Sequence, residues 1–402
     1  IKSDEYMRQN PEVNIILDIT PYSTMREKMV IDFVGGTGRY DVVYVPTSWM
    51  PEFKKSGFLH PLNPYLDKDP VDGWPNDYPR TLLDPLFDEQ GNILGIPIHD
   101  GPLMFYYRKD LFSDPKLKQQ FKAEYGYELL PPINWNQFLD ISRFFTKAYN
   151  PNSPTEYGTV VAAKQGGQQL PYEFFLLLKS HGGEILDENL KPVFNSDIGV
   201  KALKYLISLI NEHKVVPPGV TTYDQQESGQ YYLDGKCAMH WNWSHIAAYA
   251  ELAEKSRIVG KNAWSAIPTA RPDGKHVSQA GHWNWSISEQ SKNKEEAYKF
   301  LKFLVSPDAD KLVGLTGGIS CRISNHNDAE MLEKFPFYAE ITKLLQEGAI
   351  YYAPPIAEYA QLADILSFAL SEAIAGSKDP REALDKAAND VENMMRKAGY
   401  YK

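Results

Sequence analysis

The chain has 402 residues, enough for two or three domains at roughly 100–200 residues each. Hydrophobic residues make up 43% of it and charged residues 23%, an ordinary globular balance that excludes wholesale disorder. The formal charge of -10 offers no basic footprint for a nucleic acid, and no run of about 18 apolar residues exists to span a membrane.

The first residues, to Gln9, read as a helix that stops before Pro11. Residues 13–19 are β-rich and read as a strand, and Asp41-Val42-Val43-Tyr44-Val45 reads as a short buried strand ended by Pro46. Residues 51–56 form a short helix stopped by Gly57. Residues 93–98 and 103–107 read as two strands around His99-Asp100-Gly101-Pro102. This alternation of helices with short apolar strands predicts an α/β fold. From Leu111 onward helices dominate, at 135–147, 172–180 and 200–213. In the last of these Val200, Leu203, Leu206, Ile207 and Ile210 share one face. Residues 236–241 and 263–267 return to strand. Residues 295–305 form an amphipathic helix, and a final helix starts with Asp379 as N-cap and Pro380 in its first turn and stops at Gly399.

Several chemistries lack their residues. Gly35-Gly36-Thr37-Gly38 has no following Lys-Ser/Thr and reads as a loop, not a phosphate cradle. No GxSxG elbow occurs. His240 and His245 are five apart, the wrong spacing for two metal ligands on one helical face, so neither a metal nor a cofactor is expected. The two cysteines, Cys237 and Cys321, form no CxxC. A disulfide between them is compatible with an exported protein, but Cys237 within Cys237-Ala238-Met239 reads as a buried thiol. No local pattern singles out a pair of glycosidase carboxylates.

Aromatic residues reach 13%, with 25 Tyr and 8 Trp, side chains that combine an apolar face with a polar tip. Trp241 and Trp243 follow an apolar strand at period two, so they face one side if the strand continues. Trp49 lies just beyond a strand's carboxyl end, where open α/β sheets bind ligands. His99 and Asp100 interrupt two apolar runs with polar groups.

The order of segments resembles family 1 extracellular solute-binding proteins of bacterial ABC importers, the maltose-binding-protein-like group. The residues that carry the resemblance are Asp41-Val42-Val43-Tyr44 with Trp49, Gly57-Phe58-Leu59 and Pro61-Leu62; Gly95-Ile96-Pro97; Tyr106-Tyr107-Arg108-Lys109-Asp110-Leu111-Phe112; Trp135 to Phe138; Gly235-Lys236-Cys237-Ala238-Met239; Gly281 with Trp285-Ser286-Ile287 and Ser291-Lys292-Asn293; and Glu382-Ala383-Leu384. Each is weak alone. Their order over the whole chain is what is specific. Relatives usually begin with a strand, whereas this chain is expected, on that alignment, to start in the helix that follows it.

The resemblance implies a periplasmic-binding-protein fold: two α/β lobes joined by a multi-segment hinge, with the ligand cleft between them. Lobe one is expected over 1–108 and 260–314, lobe two over 109–259 and 315–402. It implies a carbohydrate-binding, non-enzymatic subunit that closes on its ligand and delivers it to membrane permease subunits. Such a protein is expected as a monomer in the periplasm, or tethered outside the cytoplasmic membrane as a lipoprotein with its signal peptide removed. The expected ligand is a mono- or disaccharide, a sugar alcohol or a sugar acid. Trp49, Tyr172, Trp241, Trp243 and Trp283 are the expected platforms for sugar C–H faces. His99, Asp100, Gln168, Asn242, Gly281, His282 and Arg322 are expected to serve its polar groups, and Arg322 with His99 and His282 suits an anionic ligand. The competing expectations are a secreted carbohydrate-active enzyme and the same fold adapted to a polyamine, peptide or metal chelate.

Overall fold

The computed structural model describes residues 2–99, 101–316, 318–339, 341 and 350–401, with the Ser23 side chain left aside. Eight strands occur among these residues: β1 (Val42–Pro46), β2 (Ile96–His99), β3 (Leu103–Arg108), β4 (Met239–Trp243), β5 (Asn262–Ser265), β6 (Ser278–Gln279), β7 (Trp283–Ile287) and β8 (Ile350–Tyr351). The chain divides into two compact units. The first comprises Ile1–Gly101, Gly281–Thr342 and Pro355–Ala357. The second comprises Pro102–Ala280, Lys343–Pro354 and Glu358–Lys402. These bounds differ from the lobes drawn on the sequence: 102–108 and 260–280 fall in the second unit, and 315–342 and 355–357 in the first.

In the first unit β7 lies between β1 and β2 and is antiparallel to both. Val43 and Val45 alternate inward from β1 and pack with Met29 and Phe33 of helix Tyr22–Gly35, Phe53 of helix Met50–Lys55 and Leu301 of helix Lys294–Leu304. Gly95, in the Gly-Ile-Pro segment, has a packing reason to be glycine. A Cβ there falls 2.3 Å from Asn284 Oδ1 and 2.7 Å from Ser286 Oγ on the central strand. Pairing of Pro46 and of His99 with Trp283 brings the ends of β1 and β2 to the start of β7.

In the second unit β3 lies between β4 and β5, again antiparallel to both. The Tyr-Tyr-Arg-Lys-Asp segment ends β3, where Arg108 grips Asp110 through two bonds of 2.7 and 2.6 Å. Helices Trp135–Phe144 and Gln169–Ser180 meet this sheet. Asp197–Ile207 and Tyr359–Ile374 pack with Gln169–Ser180, and Pro380–Lys397 packs with both of them. Three of their starts carry oxygen caps, of which Asp379 is the one expected from the sequence. Asn134, Ser196 and Asp379 each accept a first-turn backbone N–H. Gly399, at φ 84°, sits just past the last helix in the left-handed region that favours glycine.

Residues 13–19 do not form the strand their composition suggests. Ile16 and Ile19 are 85% and 89% exposed, and the segment is irregular. Asp18 ties it down through Tyr40 Oη at 2.8 Å and Arg39 at 3.1 Å. Cys237 and Cys321 are both buried, are not joined in a disulfide and fall in different units. No helix among the described residues is long and apolar enough to cross a membrane.

Candidate functional site

The first unit gathers five of its expected site residues around the strand ends. Trp283 opens β7 and remains partly exposed, although Tyr44 stacks on it at 4.5 Å and 13° and occupies one of its faces. Tyr22 stands edge-on to Trp283 at 5.7 Å and stacks on Trp49 at 5.4 Å, linking the two tryptophans into one aromatic cluster. Trp49 itself is buried. Thr47, between β1 and Trp49, closes the group: its N–H and hydroxyl donate to the His282 carbonyl at 2.9 and 3.1 Å. Gly281 precedes this turn and is partly exposed.

The two histidines here are neutral. Burial pushes His99 down to about 4 and His282 to about 3. His99 Nδ1 accepts from the Ile319 N–H at 3.1 Å, which leaves the proton on Nε2. Trp49 Nε1 and both ring nitrogens of His282 are buried without a well-formed hydrogen bond to a described residue, although the Leu82 backbone has a favourable influence on the imidazole. An unsatisfied buried polar group costs roughly 1–3 kcal/mol, so these atoms carry a local cost beside the aromatic cluster.

Arg322 has a different role from the one expected. Its guanidinium is fully buried, donates to Asp77 Oδ2 at 2.9 Å and to the carbonyls of Asp72 and Val305 at 2.7 and 2.6 Å, and lies over the Tyr78 ring. It ties loops of the first unit together. With Arg322 engaged and His99 and His282 neutral, this group presents no cation for an anionic ligand. Asp100, the remaining expected residue of this unit, lies outside the described residues.

The second unit assembles the other five. Strand β4 continues through Trp243, so Trp241 and Trp243 point to one side, and both meet helix Gln169–Ser180. Their fates diverge. Trp241 is core: it packs against Trp135 and Phe138 at 5.6 and 5.3 Å, and its indole N–H donates to Glu173. Trp243, one pleat further, is partly exposed and meets the Tyr172 ring edge at 5.5 Å. The Tyr172 hydroxyl donates to Gln168 Oε1, and both residues are largely buried. Asn242 is buried and used by the protein: its amide donates to the Gln225 carbonyl at 2.9 Å and to His240 Nε2 at 3.0 Å, and its oxygen accepts from Trp243 N–H.

Two residues not singled out from the sequence belong to this arrangement. Glu173, next to Tyr172, is fully enclosed, and burial pushes its pKa up to about 8 against the lowering effect of the Trp241 and Ala162 N–H donors. Gln225 accepts the Trp243 indole N–H. Gln225 opens its helix and Glu173 is the fifth residue of its own, positions that carry no functional signal by themselves. No cluster of three metal-ligating side chains occurs among the described residues.

Comparison with known proteins agrees with this architecture. Residues 1–311 match the model of the bacterial extracellular solute-binding protein family. A probable amino-acid ABC transporter periplasmic-binding protein, y4oP, of Sinorhizobium fredii is 25% identical over 95% of this chain and 82% of its own length. The mannitol-binding protein of Pseudomonas aeruginosa is 22% identical over 100% of this chain and 90% of its own. Among solved structures, an ABC transporter solute-binding protein from Agrobacterium radiobacter K84 in complex with ribitol superposes with a TM-score of 0.85, at 25% identity and covering 98% of this chain and 94% of that one. Strand ends furnished with aromatic and polar side chains, a family model spanning most of the sequence and a shared fold along almost its full length lead to one assignment: the chain belongs to the bacterial extracellular solute-binding proteins.

Proposed function

We propose that this protein captures a neutral carbohydrate, a sugar or sugar alcohol, outside the cytoplasmic membrane and passes it to the permease subunits of an ABC importer. The observation that carries this reading is the pair of partly exposed tryptophans, Trp283 and Trp243, each in a different unit and each set among polar side chains. A flat indole removes a sugar's C–H face from water, while amide, hydroxyl and imidazole groups satisfy its hydroxyls. Micromolar affinity requires only about -8 kcal/mol, which such a combination can supply.

The electrostatics of the expected site residues support a neutral ligand. Arg322 is engaged, and both histidines of the first cluster are uncharged. The same features argue against an amino acid, whose carboxylate calls for a cation, despite the description carried by the y4oP relative. The mannitol and ribitol partners of two relatives make alditols the first ligands to try. Binding of this kind calls for no catalytic group, and we assign no enzymatic activity. A monomer, periplasmic or tethered to the outer face of the membrane, fits the role.

A thermal-shift screen of alditols, mono- and disaccharides, sugar acids and amino acids tests the reading. A ligand at 100 times its Kd stabilises the folded state by about 2.7 kcal/mol, which raises the melting temperature. The expected result is a shift with at least one neutral sugar or alditol. A shift confined to amino acids or sugar acids contradicts it.

A further inference from the structure

The hydrogen bonds around Trp243 form a chain whose direction is fixed at every link. His240 Nδ1 faces the Val160 carbonyl at 3.1 Å and therefore carries the ring proton, leaving Nε2 as an acceptor. Burial keeps this histidine neutral, with its pKa pushed down to about 3. Nε2 receives one hydrogen of the Asn242 amide at 3.0 Å; the amide also donates to the Gln225 carbonyl at 2.9 Å. Asn242 Oδ1 accepts the Trp243 backbone N–H at 2.7 Å. The Trp243 indole, which can only donate, then requires an oxygen at its partner, and Gln225 Oε1 supplies it.

That last link decides which way the Gln225 amide faces. Its oxygen is held by the indole, so its NH2 group points away from that bond. Gln225 is partly exposed, and its Nε2 has no acceptor among the described residues. Two amide hydrogens are thus presented beside the partly exposed Trp243 ring with no partner among the described residues. The chain also prevents the amide from flipping, because a flip sets two donors against each other.

We propose that Gln225 is a ligand-contacting, specificity-determining residue that donates its amide hydrogen to an oxygen of the sugar or alditol resting on Trp243. The proposal rests on the carbohydrate reading given above. Its content is a requirement for an acceptor at this point of the ligand: a hydroxyl or ring oxygen satisfies it, whereas an ammonium, which only donates, meets two like-directed N–H groups.

The Gln225→Glu variant tests this. It preserves an acceptor for the Trp243 indole but offers the ligand no hydrogen from an amide. Calorimetric titration with D-mannitol and ribitol is the readout, with the indole N–H resonance of Trp243 (assigned by its loss in Trp243→Phe) reporting whether the ring stays anchored. We expect alditol affinity to fall about fivefold or more in the variant, the magnitude of one lost hydrogen bond, with the melting temperature and the Trp243 resonance held near wild type. The Gln225→Met variant is expected to lose both the affinity and the resonance position. Equal alditol affinity in wild type and Gln225→Glu overturns the role of Gln225 and leaves the carbohydrate reading standing. Failure of the wild type to bind any neutral sugar or alditol overturns the carbohydrate reading, and the inference with it.

Discussion

Three tryptophans that look alike as residues have different surroundings, and their substitutions should separate accordingly. Trp241→Ala removes a packed core ring and leaves Glu173 without its indole donor; a loss of about 3–5 kcal/mol of stability is expected, measured by urea denaturation. Trp243→Ala and Trp283→Ala should still melt cooperatively but bind the ligand at least about tenfold more weakly, since each removes one partly exposed platform. The alternation Trp241-Asn242-Trp243 made the shared side legible. It did not reveal which ring is covered, because that depends on Trp135 and Phe138 arriving from a distant helix. Asn242 was legible as a polar residue beside the platform, but its engagement with Gln225 and His240 is a tertiary fact. Glu173 carries its own pH signature. Its folded pKa, near 8, lies above the ordinary 4.5, so the folded state holds the proton more tightly than the unfolded chain. Its contribution is most favourable below about pH 4.5 and declines as pH rises towards 8. Glu173→Gln should therefore flatten the fall of the melting temperature across that window; an unchanged slope shows that the carboxyl is not the source.

At the level of elements, local pattern was a good guide where a segment finds its partner and a poor one where it does not. Strand β1 was recognisable from Val42, Val43 and Val45 because β7 pairs along its whole length. Residues 13–19 have comparable β propensity, yet a strand needs a neighbour for its backbone, and the structure holds this segment only through Asp18 and a few local bonds. Replacing Ile16 and Ile19 with serine should change stability by less than about 0.5 kcal/mol each, as for exposed positions generally, judged by the shift in denaturation midpoint. The final helix gives the opposite case. Asp379 accepts the Arg381 N–H at 2.8 Å, and Asp379→Ala should cost about 0.5–2 kcal/mol by the same measurement.

For the molecule as a whole, family membership was readable because many weak motifs occur in the right order, several with physical reasons that the structure supplies. Gly95 admits Asn284, and Arg108 grips Asp110. The division into units was harder to read, since it depends on where 260–280 and 315–342 pack rather than on any signal within them. Buried neutral histidines in both units contribute to the loss of stability in acid. His99, His240 and His282, pushed down to about 4, 3 and 3, exclude protons that the unfolded chain binds near 6.5. Their contribution is intact above pH 6.5 and is lost progressively as pH falls towards about 3. The central claim concerns ligand chemistry, and a calorimetric titration of the intact chain at pH 7 with D-mannitol, ribitol, common mono- and disaccharides and amino acids tests it most directly. The account predicts saturable one-to-one binding of at least one neutral sugar or alditol. Saturable heat from amino acids alone, or from no member of the series, would contradict it.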